Sequence, residues 1–78
     1  MDYFIKTEIV EKIQSDVVFR TRLAAAMGLG ERAIWNFAHK YLKQPSANTY
    51  LTKKSVLDFF ETEGYDIDED ILTTEPPE

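Results

Sequence analysis

One glycine between two helical patterns limits what this 78-residue chain can fold into more than any other feature. Residues 19–39 read FRTRLAAAMGLGERAIWNFAH. Leu23, Ala24 and Met27 precede Gly28 at helical spacing, and Ile34 and Phe37 follow it at helical spacing. A residue that leaves a helix in the left-handed conformation is least strained when it is glycine. Ala24 meets a second condition: where two helices cross steeply near their junction, a side chain larger than a methyl would push them apart. Leu29, one residue past the glycine, is expected to plug the corner. The stretch therefore reads as two short helices joined by a tight turn.

The flanking sequence predicts further helices around this pair. Residues 3–14 space Phe4 or Ile5, Ile9 and Ile13 one turn apart among polar residues, which is an amphipathic helix pattern. Ser15 or Asp16 can cap a second helix over 17–27, whose stripe of Val17, Val18 and Phe19 continues through Leu23 and Met27. A third helix is expected from about Glu31 to Lys40 or slightly beyond. It buries Ile34 and Phe37 together with Tyr41 and turns Glu31, Arg32, Trp35, Asn36 and His39 outward, with Trp35 near the boundary. Residues 42–51, LKQPSANTYL, break any period. This long connection is either a solvated linker or a loop that brings Lys43, Gln44, Ser46, Asn48 and Thr49 to a phosphate. Thr52 is expected to cap a fourth helix reaching Glu63 and ended by Gly64, with Val56, Leu57, Phe59 and Phe60 on its apolar face. Residues 65–72 form a short fifth helix or an extended arm. The expected fold is all-α, four to five short helices in a single domain over residues 1–72, with residues 73–78 a disordered acidic tail.

Charge is distributed unevenly. The net charge is −5 at pH 7, which alone argues against nucleic acid, whose affinity rests largely on phosphate neutralisation. Residues 61–78, however, carry eight acids and no Lys or Arg, so the other sixty residues hold nine bases and six acids. Between Arg20 and Lys54 the chain places Arg20, Arg22, Arg32, Lys40, Lys43, Lys53 and Lys54 against Glu31 alone. Positive charge is concentrated on the helix pair and the segment after it.

The set Leu23, Ala24, Met27, Gly28, Leu29, Ile34 and Phe37 resembles the helix-turn-helix of the phage lambda repressor and Cro class. The resemblance covers about one quarter of the chain, and Gly30 stands where that family usually has Ser or Thr as the cap of its second helix. Glycine is an acceptable cap. The resemblance implies a transcriptional regulator that binds double-stranded DNA with residues 31–40 as recognition helix in the major groove. It implies that Gly30, Glu31, Arg32, Trp35, Asn36 and His39 face DNA, with Lys40 and Lys43 beyond them. Arg32 suits guanine and Asn36 suits adenine. Glu31 can accept from a cytosine amino group or else avoids DNA. Arg20, Thr21 and Arg22, at the start of the second helix, are expected to hold the phosphate backbone and position the protein. Useful affinity implies a homodimer, for which Phe59, Phe60, Tyr65, Ile67, Ile71 and Leu72 offer apolar surface. The rival reading is a protein-interaction module on the same fold, binding through Trp35 or the acidic C-terminal segment.

Other chemistries find little support. The chain has no cysteine, which excludes disulfides, thiolate metal sites and cysteine nucleophiles. His39 is the sole histidine, without a carboxylate one helical turn before it, and no glycine-rich phosphate loop is present, so neither an enzyme nor a cofactor is expected. Asp66, Asp68 and Asp70 match the start of a calcium loop, but Ile71 and Pro77 occupy its glycine and glutamate places. No apolar run approaches a membrane span and the first residues lack the order of a signal peptide, so a cytoplasmic location without membrane contact is expected.

Overall fold

Caps and apolar stripes set the helical frame. A computed structural model describes residues 2–75 and shows α1 at Thr7–Ser15, α2 at Val17–Met27, α3 at Glu31–Lys43 and α4 at Lys54–Thr62. A 3-10 turn, Tyr50–Thr52, precedes α4, and one wide helical turn, Ile67–Ile71, follows it. Among the described residues the β structure consists of β1 (Phe4–Ile5) and β2 (Leu72–Thr73), paired antiparallel with Phe4 opposite Thr73 and Ile5 opposite Leu72. The chain is mostly helical, as its periodicity predicts.

Asp16 divides the first two helices. Its own N–H donates to Lys12 O at 2.9 Å and closes α1, while its carboxylate accepts from Phe19 N–H at 3.1 Å and opens α2. At the other end of α2, Gly28 takes φ 69°. Leu29 N–H then reaches Ala24 O at 3.0 Å and Gly28 N–H reaches Ala25 O at 3.2 Å, the paired bonds of a Schellman ending. The end of α4 repeats the device with Gly64 at φ 97° and Tyr65 N–H on Phe60 O at 3.1 Å. There the Tyr65 and Phe60 rings also meet, 6.2 Å between centroids, supplying the apolar contact that such endings favour.

Leu23, Ala24, Ile34, Ala38, Val10 and Ile13 are buried where α1, α2 and α3 meet, and Phe60 and Val56 bring α4 onto them. Leu29 does not plug the corner; it remains 37% exposed, because the Schellman turn directs it outward and Leu23, Ala24 and Ile34 already fill the junction.

Three expected boundaries differ. Residues 3–6 are not helical: Ile5 is in β1, and its N–H and C=O are both engaged by the Tyr41 hydroxyl, which accepts from Ile5 N at 2.9 Å and donates to Ile5 O at 2.7 Å. Thr52 is not the cap of α4, since its hydroxyl donates back to Thr49 O at 2.6 Å and Lys53 is the extended residue before the helix. The expected disordered tail loses its first residue to β2, where Thr73 pairs with Phe4. Of that tail, residues 76–78 lie outside the described residues.

Of the six residues expected on a dimer face, two are internal. Phe60 and Ile71 are fully buried in the chain's own core, and Phe59, Tyr65, Ile67 and Leu72 are half-buried against it. Phe19 on α2 draws them in, its ring lying 5.6 to 6.1 Å from those of Phe59, Phe60 and Tyr65. The apolar surplus read from the sequence is the wall of this cluster.

Burial pushes the Tyr41 hydroxyl above its ordinary value of 10.0, with the hydrogen bond to Ile5 acting in the opposite direction. The neutral phenol is thus favoured by folding. Its contribution is complete below the unfolded pKa near 10 and is lost as pH rises through the higher folded value. Tyr41→Phe should cost about 1–3 kcal/mol at neutral pH, because both backbone groups of Ile5 lose their partner in a buried place. Urea unfolding at pH 7 and above pH 10 checks this, and the variant should show the smaller loss of stability between the two.

Candidate nucleic-acid interface

The face of α3 that turns away from the core carries Arg32, Asn36, His39, Lys40 and Lys43, all exposed. Their spacing places them on one stripe down three helical turns, opposite the buried Ile34, Ala38 and Tyr41. Gly30, in extended conformation at φ −73°, opens the helix without a side-chain cap. Glu31 supplies the negative charge of the first turn, favourable to the helix dipole.

Trp35 is half-buried at the edge of the stripe, the boundary position its spacing predicts. Its indole stacks on His39, one turn further on, at 4.7 Å between centroids and 11° between planes. Gln14 Nε2 lies 3.1 Å from His39 Nδ1, within hydrogen-bond distance. The stacked pair is therefore steadied from α1 and presents a flat edge beside Asn36.

The expected backbone clamp on α2 does not form as read from the sequence. Arg20 is only 7% exposed. Its guanidinium pairs with the Glu31 carboxylate and donates to Ile13 O, at 3.3 Å, and Gln14 O. It is an internal strut between the end of α1 and the start of α3. A sequence signal for this existed: Arg20 stands three residues before Leu23 and four before Ala24, on the buried stripe of α2. Arg22 is exposed, but its Nη2 pairs with Glu63 at the end of α4 at 2.6 Å. Thr21 is exposed beside Val17 and Val18, which are 59% and 69% exposed. The outer start of α2 is thus apolar, and its cap is the carboxylate of Asp16.

Positive charge without internal partners lies on α3 instead. No ion pair engages Arg32, Lys40 or Lys43 among the described residues. From Arg32 to Leu57 the sequence holds five bases and no acid. Lys53 caps the Tyr50 ring at 4.9 Å. The connection after α3 is not a free linker. Asn48, at φ 57°, donates its N–H to Tyr3 O at 2.8 Å and accepts from Tyr3 N–H at 3.2 Å, which fastens the loop to the N-terminal segment. Gln44 and Ser46 remain exposed, whereas the Thr49 hydroxyl is buried.

The acidic segment is used for turn formation. Asp66 accepts from the N–H groups of Asp68 and Glu69 at 3.0 and 3.1 Å, and Asp70 accepts from Asp66 N–H at 3.0 Å. Among the described residues no group of acidic or histidine side chains is arranged to hold a metal ion, and no helix is long and apolar enough to cross a membrane. Comparisons with protein families, curated proteins and solved structures find no match to the chain.

Proposed function

We propose that the chain binds double-stranded DNA in a sequence-specific manner and acts as a small transcriptional regulator of the lambda repressor and Cro type. The observation that carries this reading is the α3 stripe of Arg32, Asn36, His39, Lys40 and Lys43, exposed, acid-free and directly after a tight glycine turn. In this reading the first turns of α3 enter the major groove, where Arg32 bonds to guanine and Asn36 to adenine. Lys40 and Lys43, further along, meet the phosphate backbone and set the register. The edge of the Trp35–His39 stack packs against a base methyl or sugar. One such helix spans few base pairs, so two copies on half-sites about one helical turn apart supply useful affinity. Phe60 and Ile71 are committed to the chain's own core, so a contact between those copies would use other residues.

Trp35 reports on the interface directly. Titration with mixed-sequence duplex should give a saturable fluorescence change whose log affinity falls with log salt by about 0.9 per phosphate neutralised. On an operator selected from random sequence, Arg32→Ala should cost about 1–3 kcal/mol in binding. Its unfolding midpoint should stay where it was, because Arg32 makes no internal ion pair. A duplex that gives neither a fluorescence change nor a mobility shift in low salt would end the DNA reading.

A protein-interaction module is the second reading, favoured by the exposed Val17 and Val18 at the start of α2, where a phosphate-facing helix would carry polar groups. Under it Trp35→Ala, and not Arg32→Ala with Asn36→Ala, abolishes partner binding.

A further inference from the structure

Behind the exposed stripe, the last turns of α3 and the connection to α4 enclose a recess of about 260 Å³. Three observations bear on what it holds. Phe37 and Tyr50 form one wall, their rings stacked at 4.6 Å and 21°. Thr49 lines the recess, with its hydroxyl buried behind the surface. Lys40 is the one charged residue of the lining, alongside the polar Gln44 and Ser46. Nothing nearby in sequence offsets its charge, since no acid occurs between Arg32 and Leu57. The walls are held in place by the Tyr3–Asn48 bonds and by the Thr52 hydroxyl on Thr49 O.

We propose that this recess is a binding site for a small planar organic anion, an aromatic or unsaturated carboxylate of about ten non-hydrogen atoms, at the small end of ligand cavities. The apolar body lies against Phe37 and Tyr50. The carboxylate accepts from the Lys40 ammonium, with Gln44 and Ser46 as further donors. The site goes beyond the DNA reading and is testable without DNA. Where that reading also holds, a bound anion neutralises Lys40 on the flank of the stripe and weakens its hold on phosphate.

The test uses the full chain, labelled with ¹⁵N and free of DNA, titrated with benzoate, with benzamide as the neutral isostere and with inorganic phosphate as charge alone. Benzoate should produce saturable amide shifts at Phe37, Lys40, Thr49 and Tyr50 with a Kd of about 1 mM or tighter, and the two controls should bind about tenfold more weakly. Lys40→Gln should weaken benzoate about fivefold or more. Lys40→Gln, at an exposed position, should leave the amide spectrum elsewhere and the thermal midpoint unchanged. Absence of saturable shifts up to about 20 mM would overturn the proposal. So would equal affinity for benzamide, equal affinity for phosphate, or undiminished binding by Lys40→Gln.

Discussion

Phe60→Ala will lower the free energy of unfolding by about 3–5 kcal/mol, the usual cost of emptying a fully buried phenylalanine site. A chain of this length is stabilised by about 4–12 kcal/mol in total, so the variant will sit near the edge of folding at 37 °C. The size of the effect follows from what the ring joins. Phe60 has no exposed surface and lies 5.8 to 6.2 Å, centroid to centroid, from Phe19, Phe59 and Tyr65. Through Phe19 it attaches α4 to α2. Through Tyr65 it fixes the turn that returns the chain toward β2, so the cavity loosens both the helix and the strand that follows. Urea unfolding at two protein concentrations about tenfold apart measures it, because a ring in the monomer's own core gives a midpoint independent of concentration. A loss below about 1 kcal/mol, or a concentration-dependent midpoint that the substitution removes, would place Phe60 between copies of the chain instead.

Arg20→Met will cost about 2–4 kcal/mol, although it retains the aliphatic stem and removes only the charged head. The guanidinium serves the last turn of α1, donating to the carbonyls of Ile13 and Gln14, and it pairs with Glu31 at the start of α3. Leaving those carbonyls unpaired accounts for most of the loss. The carboxylate of Glu31 is 40% exposed and can turn to water, which keeps the figure below that for stranding a fully buried charge. Glu31→Gln preserves an acceptor and should cost less than about 1 kcal/mol. Arg32→Ala, one residue past Glu31, is the contrasting case: unchanged unfolding, impaired binding. If Arg20→Met unfolds at the same urea concentration as the parent chain, the strut does not carry the junction of α1, α2 and α3.

The helix pair was legible in the sequence because its limits are local. Asp16, Gly28 and Gly30 act on the residues next to them, and α2 begins and ends where those signals place it. The exposed residues of α3 were legible for the same reason, since a period of 3.6 anchored on Ile34 fixes which side chains point away. What escaped depended on distant partners. The spacing of Ile5, Ile9 and Ile13 fits one long helix, yet Ile5 is drawn into a strand by Tyr41, 36 residues away, and by Leu72 across the β pair. By its charge alone Arg20 reads as surface, whereas its position on the stripe of Leu23 and Ala24 makes it internal, with carbonyls and Glu31 near it. Phe60 and Ile71 looked surplus because the sequence does not show that Phe19 folds back over them.

The pairing of Phe4 with Thr73 has a topological consequence. The two strands run antiparallel, so the described residues just before β1 and just after β2 lie at the same end of the pair. A host protein could accept the whole unit between two neighbouring residues of a surface loop with little distortion of either partner, and the α3 stripe would then be displayed on the host.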